Sequence, residues 1–258
     1  MDQLERRRYL IEALIKENPA HGEVQIPADA GAQRKLLRGL MNVREAGPIN
    51  EAFLQIQDEY LIRETQAKGV TYLADLKAVQ PGLYLWQGDI TTLACDAIVN
   101  AANSSMTGCY YPNHGCIDNA IHTFAGVQLR NLCAEVMEVQ GHLEPTGQAK
   151  ITPGFNLPAK YILHTVGPIV RGALHEADET ALADCYCACL QLAAEHHLES
   201  VAFCCISTGE FGFPNARAAE IAVATVKDFM RTPSSIQHVI FNVFKDTDLM
   251  LYEALLEQ

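Results

Sequence analysis

The chain has 258 residues, 49% of them hydrophobic and 19% charged, enough apolar material for a sizeable core and a length that fits one large α/β domain with an extension or two small domains. A formal net charge of −12 argues against nonspecific nucleic-acid binding, so any phosphate on a ligand has to be held locally, by backbone N–H groups and helix N-termini. No stretch approaches the roughly 18 uncharged apolar residues of a membrane span, and the opening MDQLERRRYLIEALIKE is charged throughout and lacks a signal-peptide pattern, which predicts a cytoplasmic protein.

Residues 1–75 read as a helical extension. Leu10, Ile11, Leu14 and Ile15 make an apolar stripe beside Arg6, Arg7 and Arg8, and further helical segments are predicted near 35–41 and 50–67. Gly and Pro in AHGEVQIPADAG and REAGPIN mark the connections. The pattern then changes, and residues 76–258 are expected to form the main domain. Short apolar runs at 83–86, 96–102, 161–166, 201–206 and 238–244 predict buried strands. Helical periodicity covers 118–139, 177–196, 215–229 and 247–256. This alternation predicts a mostly parallel sheet covered by helices on both faces, with ligands beyond the carboxyl ends of the strands.

The loops after the strands carry the chemistry. In Gln87-Gly88-Asp89-Ile90-Thr91 a carboxylate beside a glycine turn can accept from an exocyclic amine such as that of adenine, although Gly-Asp also starts ordinary turns. Asn100-Ala101-Ala102-Asn103-Ser104-Ser105 offers amides at a strand end, suited to sugar hydroxyls. Next, Cys109, His114 and Cys116 lie within eight residues of a loop punctuated by Gly108, Pro112 and Gly115. Two thiols and an imidazole at this spacing suit tetrahedral zinc, and three protein ligands would leave a fourth position for water or substrate. His122 or Cys133 could instead complete the coordination and make the metal structural. Asp118, at the start of the following helix, either stabilises the helix dipole or faces the ligand and polarises a water.

Gly167-Pro168 follows another strand, and Ser207-Thr208-Gly209-Glu210-Phe211-Gly212-Phe213 follows the next and leads into a helix. Small residues at such a turn form an anion nest for a diphosphate, and no P-loop lysine is present. Phe211 or Phe213 either stacks on a ligand ring or belongs to the core. Of the nine cysteines, Cys185, Cys187, Cys189, Cys204 and Cys205 lie in apolar runs and are expected to be buried free thiols.

Taken together, QGDIT, VNAANS, GQAKIT (147–152), LPAKYILHTVGP (157–168) and STGEFGFP resemble, in order, the signatures of macrodomains over roughly residues 80–250. The resemblance implies a three-layer α/β/α sandwich with a mixed, mostly parallel central sheet that binds ADP-ribose. By position, Asp89 would take the adenine amine beside the backbone of Ile90, and Asn103 would sit at the distal ribose. Ser207, Thr208, Gly209, Glu210, Phe211, Gly212 and Phe213 would wrap the diphosphate, with Phe213 near the distal ribose. Hydrolytic members carry a glycine-rich run before Val-Asp-Gly; here Cys109–Asp118 replaces it, which resembles the zinc-containing microbial branch. That branch implies one zinc per chain on Cys109, His114 and Cys116, with Asn103 and Asp118 as catalytic residues. It further implies release of mono-ADP-ribose from Asp or Glu esters on proteins, and a sirtuin-like ADP-ribosyltransferase and a small carrier protein as partners, with no nucleic acid or membrane. A non-catalytic ADP-ribose reader with a structural zinc and a phosphatase acting on ADP-ribose phosphates are the rival expectations.

Overall fold

The computed structural model describes residues 1–18, 22 and 24–257, so part of the connection expected at 20–31 lies outside the described residues. Three helices come first: α1 (Gln3–Glu17), α2 (Ala30–Val43) and α3 (Glu51–Lys68). Each starts on an acidic or amide cap, Asp2, Asp29 and Asn50, whose side chain accepts a backbone N–H of the first turn. Their apolar stripes bury Leu10, Ile11, Leu14, Leu37, Leu40, Phe53 and Leu61 in a cluster of their own. In chain order there follow β1 (Thr71–Tyr72), β2 (Ala78–Gln80), β3 (Leu83–Gln87), β4 (Leu93–Ala94), β5 (Ala97–Ala101), α4 (Ile117–Ala125), α5 (Val127–Gln140), β6 (Ala149–Pro153), β7 (Tyr161–Thr165), α6 (Glu176–Glu195), β8 (Ser200–Phe203), α7 (Asn215–Phe229), β9 (His238–Val243) and α8 (Asp246–Leu256).

Among the described residues the main sheet has the order β2-β3-β9-β8-β5-β7-β6. Its inner pairings are parallel, and the edge strands β2 and β6 run antiparallel to their neighbours. The five apolar runs become β3, β5, β7, β8 and β9, with both faces covered, which is why they read as continuous apolar segments rather than alternating ones. The sheet is thus mixed and mostly parallel, as expected. The short β2 and the edge strand β6 did not register as strands, because AKITP carries a lysine, a threonine and a closing proline.

One helix differs from its sequence pattern. The segment expected to be continuous over 118–139 breaks at Gly126, whose φ is +100°. A Cβ there would meet Gln57 Nε2 at 2.6 Å and Asn156 Nδ2 at 2.9 Å, so the break lets α3 approach closely. Gln57 fills that gap: its Oε1 accepts the Val127 N–H at 3.0 Å, and its Nε2 donates to Gln128 at 2.7 Å. Val127 and Phe124 also pack into the cluster of the first three helices. Among the described residues no helix is long and apolar enough to cross a membrane.

Candidate functional site

The parallel strands deliver their loops to one end of the sheet, and the predicted residues gather there. The turn after β8 is strained and tightly built. Ser207 has φ +65°, and a Cβ on Gly167 would come within 2.0 Å of the Ser207 hydroxyl, so this approach requires glycine. The Ser207 Oγ is buried without a partner. The Ser207 carbonyl accepts the Phe213 N–H at 3.0 Å, and the Gly209 carbonyl accepts the Gly212 N–H at 3.1 Å, closing the loop on itself. The N–H groups of Gly209, Glu210 and Phe211 donate to no described group, which leaves a run of donors suited to an anion. Thr208 is turned back, its hydroxyl donating to the Cys205 carbonyl at 3.0 Å. The ring of Phe213 belongs to the central core at 1% exposure, so of this residue only the backbone borders the turn. Phe211 packs beside Ala102, Met106 and Val166 instead.

At the end of β5, Asn103 and Asp118 meet. Asp118 lies in the first turn of α4 and is 5% exposed. Its Oδ1 accepts from Asn100 Nδ2 at 2.8 Å, and its Oδ2 from Asn103 Nδ2 at 3.3 Å. Burial pushes this carboxyl up to about 6, against the opposing pull of the Asn100 hydrogen bond and the Arg130 charge. Asn103 is pinned in turn: its Nδ2 also donates to the Gly108 carbonyl at 3.0 Å, and its Oδ1 accepts the Ser105 N–H at 3.0 Å. This amide therefore ties the strand end directly to the loop that carries the cysteines.

In that loop the donor atoms of Cys109, His114 and Cys116 all lie within 4.8 Å of one another. Cys109 Sγ is 3.7 Å from His114 Nδ1. Two ligands about 2.3 and 2.1 Å from a shared tetrahedral centre would stand about 3.6 Å apart, so the donor set fits zinc in chemistry and in spacing. His114 Nε2 faces the Glu210 carboxylate at 3.5 Å, the arrangement that orients a metal-ligating imidazole and also joins this loop to the turn after β8. Cys116 caps α4 as well, its sulfur accepting the Asn119 N–H at 3.4 Å.

His122 and Cys133 do not join this set. They converge with His164 in a separate, fully buried group, also within 4.8 Å. Both ring nitrogens of His164 are already engaged, by Asn100 at 3.1 Å and Thr152 at 2.9 Å, which removes the lone pair a metal needs.

The loop is braced from outside the sheet. Arg38 in α2 reaches Asn119 and the His114 carbonyl, and Asn42 Oδ1 accepts the Asn113 N–H at 2.9 Å. Arg130, 4% exposed, donates to the carbonyls of Thr107, Met41, Asn42 and Arg44 and lies 4.1 Å from the centre of the Tyr110 ring. In the turn after β3, Asp89 Oδ1 accepts from the Thr91 N–H and hydroxyl, and Oδ2 pairs with Lys68 Nζ of α3 at 3.0 Å. Burial pushes Asp89 up, but these hydrogen bonds and the Lys68 charge outweigh it and hold the carboxyl below its ordinary value. The side chain of Ile90 is buried, leaving its backbone at this turn.

Sequence reasoning singled out none of Arg38, Asn42, Lys68, Arg130 and His164. The first four act across large sequence separations and carry no local pattern. His164 did leave a signal: in YILHTV it is an imidazole in the middle of an apolar strand, where a buried polar group demands partners.

Comparison with known proteins shows the family of the fold. A family model described as "Macro domain" matches residues 99–222. A protein named Protein-ADP-ribose hydrolase from Treponema medium is 58% identical over 260 residues, covering 99% of this chain and 100% of the relative. A protein of the same name from Staphylococcus aureus (strain MSSA476) is 49% identical over 250 residues, covering 96% and 94%. Among solved structures, the Oceanobacillus iheyensis macrodomain with ADP is 36% identical and superposes with a TM-score of 0.63 over 70% of this chain and 94% of that one. The Trypanosoma brucei macrodomain in complex with ADP-ribose is 30% identical, with a TM-score of 0.64 over 84% and 94%.

Proposed function

This chain belongs to the macro domain family, and from that premise we propose that it is a hydrolase that releases ADP-ribose from mono-ADP-ribosylated proteins, acting on esters of Asp and Glu. The names of its full-length relatives support the hydrolase, and the ADP and ADP-ribose in the solved neighbours support the ligand. The observation that carries the reading is the meeting of Asp118 with the Cys109 loop, through the Asn103 amide that bonds both.

In this reading the turn 207–213 receives the diphosphate through the N–H groups of Gly209, Glu210 and Phe211 and the free hydroxyl of Ser207. Asp89 takes the adenine amine beside the Ile90 backbone, and Asn103 fixes the distal ribose. Asp118, whose carboxyl is lifted to about 6 by burial, is ionised at neutral pH yet basic enough to take a proton from the attacking water. Cys109, His114 and Cys116 would hold one zinc ion. When bound, the ion would supply polarisation and orientation at the distal ribose, moderated by two thiolates that nearly neutralise it. Residues 1–75 act as an extension that braces the loop of a macrodomain at 76–258. The ester preference and the sirtuin-like transferase and carrier-protein partners rest on the resemblance in sequence, the zinc requirement on that resemblance and on the spacing of Cys109, His114 and Cys116, and a cytoplasmic location on the reading of the sequence itself.

Metal analysis combined with hydrolysis assays on ester-, serine- and arginine-linked ADP-ribosyl proteins tests this. Stoichiometric zinc with release from the ester substrate alone supports it. Binding of ADP-ribose without release from any substrate would make the chain a reader, and phosphate release without loss of label from protein would make it a phosphatase.

A further inference from the structure

A chain of buried polar side chains reaches Asp118 from within the sheet, away from the ligand loops. Asn100 in β5 and His164 in β7 are register partners on adjacent parallel strands, and both are 0% exposed. Asn100 Nδ2 lies 2.8 Å from Asp118 Oδ1 and 3.1 Å from His164 Nδ1, and His164 Nε2 lies 2.9 Å from the Thr152 hydroxyl in β6. Among the described residues the only hydrogen bond to Asp118 Oδ1 is the one from Asn100. His122 Nε2 stands 3.6 Å from the same oxygen, too far for a good hydrogen bond, and neither of its ring nitrogens has a partner.

The chemistry of the donors fixes every role in this chain. A primary amide has two N–H groups on its nitrogen, and here one goes to Asp118 and the other to His164. A reversed Asn100 amide would turn its oxygen towards the carboxylate, so the nitrogen must face Asp118. His164 Nδ1 must then accept, which places the ring proton on Nε2 for donation to Thr152. Burial holds this imidazole down to about 3, so the acceptor lone pair persists across the working pH range.

We propose that Asn100 and His164 are positioning residues for hydrolysis: together with Thr152 they lock Asp118 through Oδ1 and so aim Oδ2, which also accepts from Asn103 Nδ2 at 3.3 Å, at the reacting water. Neither side chain touches the substrate. The role extends the reading of Asp118 as the general base and depends on it.

The test compares full-length wild type with His164→Leu, His164→Gln, Thr152→Val and Asp118→Asn. For each, kcat and KM are measured on a mono-ADP-ribosylated protein and the Kd for ADP-ribose by calorimetry. His164→Leu should lower kcat by about tenfold or more while KM and Kd stay within about twofold, as expected when positioning of a catalytic group is lost. His164→Gln, whose single amide can accept from Asn100 and donate to Thr152, should recover most of that loss. Thr152→Val, a milder change, should fall between wild type and His164→Leu. Wild-type kcat in His164→Leu alongside an inactive Asp118→Asn would overturn the positioning role and leave the base intact. Parallel losses of kcat and ADP-ribose binding that glutamine does not rescue would reduce the chain to a structural one and also overturn it. An active Asp118→Asn would instead remove the base itself, and the positioning role with it.

Discussion

Arg38 grips Asn119 with two nitrogens of its guanidinium, at 2.7 and 3.0 Å from the same Oδ1, across 81 residues of sequence. Asn119 passes the restraint on, donating from Nδ2 to the Tyr111 carbonyl at 3.0 Å, while Arg38 itself also bonds the His114 carbonyl at 3.0 Å. Gly39, next to Arg38, lets the loop itself come close to α2, since a Cβ there would lie 3.1 Å from Asn113 Nδ2. The helix α2 thus sets the shape of the loop that carries Cys109, His114 and Cys116.

Arg38→Ala should therefore weaken zinc binding by about 10- to 100-fold, the usual cost of losing an outer partner of a metal site. Competition with a chromogenic chelator measures it. Unchanged zinc affinity would show that the loop holds its shape without Arg38.

Replacing a ligand is the sharper version. Cys116→Ser should lose stoichiometric zinc and at least about tenfold in kcat, while the Kd for ADP-ribose changes little, because the 207–213 turn offers backbone N–H groups and meets the cysteine loop through the Glu210 side chain facing His114. Elemental analysis and a release assay on one preparation check both. Full activity without metal would refute the zinc requirement.

In the turn after β3, Asp89→Ala should raise the Kd for ADP-ribose by roughly tenfold, about 1.4 kcal/mol, as for a lost hydrogen bond to a charged group. The kcat at saturation should hold, since this carboxylate is remote from the bond that breaks. Lys68→Met should have a smaller effect in calorimetry, because its ion pair with Asp89 is partly exposed and screened.

Acid should destabilise the fold through its buried histidines. An unfolded imidazole titrates near 6.5, whereas burial holds His164 down to about 3 and His122 well below its ordinary value. Below 6.5 the unfolded chain binds protons that the folded chain refuses. The contribution of these rings is thus complete above about 6.5 and falls with pH towards 3, by up to about 1.4 kcal/mol per pH unit for each ring. Asp118, raised from 3.8 to about 6, opposes it by binding its proton first in the folded chain. Denaturant titrations of wild type and His164→Gln at pH 7.5, 5.5 and 4.5 measure this. The wild type should lose stability more steeply, and identical slopes would exclude His164 from the effect.

What the sequence made legible follows from how local each signal is. The five core strands announced themselves because both faces are covered and most of their side chains are apolar, with Asn100 and His164 among the exceptions. The Cys109–Cys116 loop and the 207–213 turn were legible because their donors are contiguous. The break at Gly126 was hidden, since a glycine inside a helical pattern becomes a break only through the approach of Gln57 from α3. Arg38, Lys68 and Arg130 act on groups 20 to 90 residues away, so no window of sequence holds both partners. Phe213 lies between two turns of meaning: its motif resembles a ligand loop, but its ring packs in the core.

The central claim is tested most directly by following label loss from a protein bearing glutamate-linked mono-ADP-ribose, under single turnover, with wild type and Asp118→Asn side by side. Wild type should release free ADP-ribose, and Asp118→Asn should do so at least about 100-fold more slowly while still binding ADP-ribose. A modified protein that survives prolonged incubation with zinc-loaded wild type, despite measurable ADP-ribose binding, would contradict the account.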